Sequence, residues 1–83
     1  MNYEVFVHAD LLQGVLPRSG LQRRLIFEFL ESLKRQPDQL GDFMEKDATL
    51  RELQIKIVGK YDITYWVDSP VRKVMVVDIS LAD

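Results

Sequence analysis

Over residues 52–80 apolar and polar side chains alternate with period two, broken twice by turn residues, and this limits the fold more than any other feature of the chain. In Leu53-Gln54-Ile55-Lys56-Ile57 the aliphatic residues are separated by Gln54 and Lys56. In Tyr61-Asp62-Ile63-Thr64-Tyr65-Trp66-Val67 they are separated by Asp62, Thr64 and Trp66. Successive side chains of an extended strand point to opposite faces, so such segments build a sheet with one packed face. The open face is expected to carry Gln54, Lys56, Asp62, Thr64 and Trp66. Three strands are expected at about residues 51–58, 60–67 and 73–79, joined by a Gly59-Lys60 turn and an Asp68-Ser69-Pro70 turn into an antiparallel meander.

Upstream, residues 3–7 are rich in β-favouring side chains and read as a first strand ending near His8. Residues 9–16 suit a short helix. Pro17-Arg18-Ser19-Gly20 breaks it, and Ser19 with Gln22 has the spacing of a capping box. Beyond Leu21, apolar Leu25, Ile26, Phe29, Leu30 and Leu33 recur at spacings of three and four, which predicts an amphipathic helix of about four turns ending before Pro37. The polar stretch 37–49 holds only a hint of a strand at Leu40, Gly41 and Phe43. Together these elements predict one α+β domain of two layers, strand-helix-helix followed by a three- or four-stranded antiparallel meander, with the first strand at an edge or beside the last.

Eighty-three residues make one small domain, which buries about 60–65% of its unfolded surface. With 47% hydrophobic and 29% charged residues the composition is that of a folded protein. The absence of cysteine removes disulfides, thiolate metal sites and cysteine nucleophiles, and is compatible with a reducing cytoplasm. No segment reaches the roughly 18 apolar residues of a membrane span, and the first residues have no signal-peptide pattern. A soluble cytoplasmic protein is expected. A net charge of −2 argues against non-specific nucleic-acid binding, which depends on excess Lys and Arg.

Several residues have chemistry of their own. Lys56 with Arg51 and Lys60 makes either a small cationic strip for phosphate or ordinary solvated strand charges. Asp62 and Asp78 on adjacent strands form either a carboxylate pair or surface charges that keep the sheet soluble; a third metal ligand is missing, so no metal is expected. Trp66 is an amphipathic ring suited to a partner peptide or a stacked base, unless a loop or the C-terminal tail covers it. Arg18, Arg23 and Arg24 gather at the start of the long helix, with Phe27 one turn on and off the main stripe. His8 has no Ser or Cys companion and reads as a turn residue. No glycine-rich phosphate loop is present, and no cofactor is expected.

The order strand, short helix, long helix, meander, together with residues 54–68 (QIKIVGKYDITYWVD) and the valine-rich strand after them, resembles the RelE/ParE superfamily of plasmid-stabilisation and type II toxin–antitoxin proteins. The resemblance spans nearly the whole chain. It implies a toxin-like protein paired with a cognate antitoxin, acting in the RelE branch as a ribosome-dependent mRNA endoribonuclease and in the ParE branch on DNA gyrase. On the RelE pattern, Lys56 would contact phosphate, helped by Arg51 or Lys60, with Tyr61 and Tyr65 shaping the face. Trp66, or the helix surface of Arg23, Arg24 and Phe27, would receive the partner; the latter suits an acidic amphipathic helix.

The chain also departs from that pattern. Gln54 stands at an often basic position, Asp62 where an Arg commonly follows the Tyr, and Asp78-Ile79-Ser80-Leu81 where the family places Arg or His/Arg and then Tyr. A carboxylate 4 Å from a phosphate opposes it by about 1 kcal/mol even in water. The expected role is therefore a toxin-like component with weakened or absent ribonuclease activity. A non-enzymatic binding module, an inert toxin relative and a ParE-like gyrase inhibitor are the alternatives.

Overall fold

A computed structural model describes residues 2–14 and 20–82. The elements are β1 (Glu4–Val7), α1 (Ala9–Gly14), α2 (Gly20–Arg35), β2 (Phe43–Lys46), β3 (Glu52–Val58), β4 (Tyr61–Asp68) and β5 (Lys73–Leu81), with a short 3-10 turn at Ser69–Val71. The last turn expected for the short helix, the Pro17 breaker, the Ser19 cap and Arg18 lie outside the described residues. His8 sits at the start of α1, where its Nδ1 accepts a hydrogen bond from the Asp10 N–H.

One five-stranded sheet runs in the order β1-β5-β4-β3-β2. Strands β2 to β5 form a four-stranded antiparallel meander, and β1 joins it parallel to β5, so the first strand lies beside the last and also at an edge. The chain between them, running through α1, α2 and strands β2 to β4, is the long connection that a parallel pair requires. α2 lies on one face of the sheet. Its stripe of Ile26, Leu30 and Leu33 is buried against Ile63, Tyr65, Val74, Val76 and Ile79, with Val5, Val7, Phe29 and Tyr61 packed around them. Burying each of these aliphatic side chains contributes about 1.5–3 kcal/mol. Lys34 and Arg35 stand in the last turn of α2, where cations favour the helix dipole, and the Lys34 carbonyl accepts from the Tyr3 N–H.

Alternation along β5 is not continuous. Thr64 pairs with Asp78 while Tyr65 pairs with Val76, which leaves Val77 as the extra residue of a β-bulge. This is how Val74, Val76 and Ile79 all come to be buried although the last two are three residues apart.

The structure corrects the facing expected for β3. Val58 pairs with Tyr61 across the Gly59-Lys60 turn, so Lys56 stands opposite Ile63 and Gln54 opposite Tyr65. Directly opposed residues share a face. Gln54 and Lys56 therefore lie on the α2 side of the sheet, and Leu53, Ile55 and Ile57 lie on the open side with Asp62, Thr64 and Trp66. The cause is the loop length: with two turn residues, the apolar set of β3 cannot share a face with Ile63 and Tyr65.

Candidate interaction face

The side of the sheet away from α2 is uncovered among the described residues. From one edge to the other, strand register places Glu4 and Phe6, then Lys73, Met75, Asp78 and Ser80, then Asp62, Thr64, Trp66 and Asp68, then Leu53, Ile55 and Ile57, then Phe43 and Glu45 on it. Phe43 is 58% exposed, and Phe6 and Ile57 are 40% exposed. Strictly polar alternation would leave such a face wet; this one is an apolar bed with carboxylates set into it. At the hairpin end, Phe43, Ile57, Lys60, Asp62 and Ala82 line a hollow of about 520 Å³.

Few cations reach this surface. The Lys73 ammonium lies 4.9 Å from the centroid of the Phe6 ring, and Lys73 has Glu4 on one neighbouring strand and Asp68 on the other. The Arg51 guanidinium lies over Trp66 and is paired with Asp47 at 3.6 Å. Among the described residues no cation comes within ion-pair distance of Asp62, Asp78 or Glu45. Asp78 accepts a hydrogen bond from the Ser80 hydroxyl at 3.0 Å. Asp62 and Asp78 are diagonal neighbours, since Asp62 faces Ser80 and Thr64 faces Asp78.

The residues expected to make a phosphate site are split between the two faces. Lys56 projects on the α2 side, where its ammonium pairs with Asp42 at 3.6 Å. Asp42 is fixed in turn: its other oxygen accepts from the Ile57 N–H at 2.8 Å, and its own N–H donates to the Ile55 carbonyl. Tyr65 is a core residue and does not shape the open face. Its ring packs obliquely on Phe29 with 5.7 Å between centroids, and its hydroxyl donates to the Gln39 carbonyl at 2.8 Å. Burial, and then the charge of Asp42, push its phenol up to about 12. Tyr61 is part-buried against the same core. Lys60 is exposed at the hairpin turn, where its N–H donates to the Gln22 side-chain oxygen. Arg51 and Lys60 thus border the open face, and Lys56, Tyr61 and Tyr65 do not reach it.

Trp66 lies on the open face, part-buried, beside Met75. Arg23, Arg24 and Phe27 lie on α2, across the sheet from it, so the two sets belong to different surfaces. Arg24 pairs with Glu28 at 3.5 Å along the helix. Phe27 lines a shallow hollow of about 270 Å³ with Val5, Val7, Leu30, Glu31 and Lys34. The sequence pattern does not single out Phe6, Phe43, Ile57 or Met75; the two-residue turn between β3 and β4 is the signal that places Ile57 outside, and Phe43 follows through its pairing with Ile55.

No helix among the described residues is long and apolar enough to cross a membrane. No protein-family model matches the chain, and no curated protein matches it in sequence. Among solved structures it is similar to a chain of the archaeal RelE–RelB complex from Pyrococcus horikoshii OT3, with a TM-score of 0.79, 17% sequence identity, and coverage of 98% of this chain and 96% of that one. That likeness extends over every element described above, and the chain accordingly has the RelE-like fold.

Proposed function

We propose that this protein is the toxin-like member of a toxin–antitoxin pair in which ribosome-dependent mRNA cleavage is weakened or absent, and that it acts by binding a protein partner on its uncovered sheet face. The RelE-like fold and its likeness to a chain of a RelE–RelB complex support the pairing. The observation that carries the reading is the charge at the centre of the face, where among the described residues no cation comes within ion-pair distance of Asp62 or Asp78.

Cleavage of an RNA backbone passes through a state of increased negative charge, which a site stabilises with cationic or hydrogen-bond donors aimed at the phosphate. Carboxylates at that place act in the opposite sense, by about 1 kcal/mol per contact in water at 4 Å and by more where water is excluded. Lys56, the residue best matched to a phosphate-binding role by sequence, is held by Asp42 on the other side of the sheet. An apolar bed of aromatic and aliphatic side chains with a polar surround is, in contrast, the make-up of a protein interface.

The reading is tested by tightly controlled expression in a bacterial host, with mapping of mRNA 5′ ends. Normal growth with no new ends is expected. Arrest with ribosome-positioned cleavage that Lys56→Ala relieves would overturn the proposal. Arrest with intact mRNA and inhibited DNA supercoiling would replace it with the ParE-like reading.

A further inference from the structure

The uncovered face has a shape and charge that select the chemistry of its occupant, on the basis that it is the partner-binding surface proposed above. We infer that it receives a cationic amphipathic segment of a partner protein, with apolar side chains laid on Met75, Ile55, Ile57 and Phe43, between Phe6 under Lys73 and Trp66 under Arg51, and with Lys or Arg side chains reaching Asp62 and Asp78.

Size is the first argument. Five strands at about 4.8 Å spacing give a width of about 19 Å, which matches a helical segment of about three to four turns lying across the strands. The hollow between Phe43, Ile57, Lys60, Asp62 and Ala82 is a receptacle at one end for a large apolar anchor, and Asp62 at its wall is placed to meet a cation beside that anchor.

Charge complementarity selects between occupants that would fit this bed equally well. Glu4, Glu45, Asp62, Asp68 and Asp78 all fall on the face, against Lys73 alone on the strands themselves. Lys73 is held over Phe6, and Arg51 is already engaged by Asp47 and Trp66. An acidic segment would set its carboxylates against Asp62 and Asp78 with Lys60, at the rim of the hollow, as the one unpaired cation nearby among the described residues, and RNA would do the same with its phosphates. A basic segment supplies the missing counter-charges. Such matching governs specificity and encounter rate more than gross affinity, so the discrimination between partners is the quantity to measure.

Trp66 is the only tryptophan of the chain, and its position makes it a built-in reporter of occupancy. The experiment titrates the protein with two synthetic helical peptides of about 14 residues that share one leucine stripe and carry either Lys and Arg or Glu on the opposite side. At physiological salt the basic peptide is expected to change Trp66 emission saturably and to bind about tenfold tighter than the acidic one. The double variant Asp62→Asn with Asp78→Asn, checked for unchanged circular dichroism and melting temperature, is expected to weaken the basic peptide by about tenfold. Equal or tighter binding of the acidic peptide, basic-peptide binding untouched by the double variant, preferential binding of single-stranded RNA, or a self-dimer that covers Trp66 would each overturn the inference. mRNA cleavage by the chain would instead overturn the proposed function while leaving the peptide preference standing.

Discussion

The guanidinium of Arg51 lies 4.0 Å from the centroid of the Trp66 ring, and Asp47 holds the same group from the loop between β2 and β3. Asp47 organises that loop: its carboxylate accepts hydrogen bonds from the Thr49 N–H and hydroxyl and from the Arg51 N–H, while Leu50 adopts a positive φ of 65°. The Thr49 hydroxyl, followed by the Arg51 N–H, holds the Asp47 carboxyl below its ordinary range. Stability from this turn is therefore present above the ordinary carboxylate pKa and lost as pH falls through the lowered one.

Removing the cation should uncover the indole. Arg51→Ala is expected to red-shift Trp66 fluorescence and to lower stability by about 0.5–1 kcal/mol, the worth of an exposed cation–π contact. Asp47→Ala should give part of the same red shift by releasing the arginine. Emission spectra of both variants check this, and unchanged spectra would mean that Arg51 does not cover the ring in solution.

Alkaline stability should report on Tyr65. Its folded pKa of about 12 lies above the ordinary 10.0, so the neutral phenol's contribution is complete below pH 10 and is lost as pH rises toward 12. At about 1.4 kcal/mol per pH unit this removes about 2–3 kcal/mol across that window. Tyr65→Phe forfeits the hydrogen bond to Gln39, about 1 kcal/mol at neutral pH, but should flatten the alkaline limb. Urea midpoints for both proteins from pH 8 to pH 12 are the measurement, and parallel curves would contradict the assignment.

A methyl group at Gly41 has no room. Its Cβ would stand 2.6 Å from the Ile55 carbonyl oxygen and 2.7 Å from the Ile55 nitrogen, both backbone atoms that cannot rotate away. Gly41→Ala is expected to destabilise by about 1–3 kcal/mol in urea unfolding and to disturb the Asp42 contacts next to it. Gly20→Ala, where a Cβ meets nothing within 4 Å, is the control and should be close to neutral.

Reversing the charge of the open face should change what it attracts. Asp62→Arg is expected to raise affinity for single-stranded RNA, with a salt dependence that steepens by about 0.7 in the log–log slope for each phosphate engaged. Lys56→Ala, on the other side of the sheet, should leave RNA affinity unchanged and lower stability by less than about 1 kcal/mol, since its ion pair with Asp42 is partly exposed. Filter binding at several salt concentrations separates the two outcomes.

The core was legible because its periodicities are strong. The i, i+3, i+4 stripe on α2 and the Tyr61, Ile63, Tyr65 alternation on β4 each point one way, and those residues are the ones that meet. The candidate site was harder to read. Hydrophobicity alone assigns Leu53, Ile55 and Ile57 to the core, whereas pairing across the Gly59-Lys60 turn turns them outward and sends Lys56 inward. The two-residue length of the turn sets these two tendencies against each other. β2 was faint because it is four residues long and exposed throughout, so no buried face left a pattern in Phe43-Met44-Glu45-Lys46. The partnership of β1 with β5 joins the two ends of the chain, and no local signal encodes it.

Val77 gives the last strand a form of slack. A bulge means that β5 spans its partner with one residue to spare, so deleting Val77 would regularise the ladder while Asp78 kept its place opposite Thr64 and Ile79 its place opposite Ile63. The neighbouring strand has no such reserve on its β3 side, where five consecutive residues pair without interruption. Deleting Thr64 there would slip the register and turn either the core set or the open-face set to the wrong side. The same one-codon loss is thus absorbed at the bulge of the final strand and ruinous one strand away, which makes Val77 a place where this sheet can lose a residue without exchanging inside for outside.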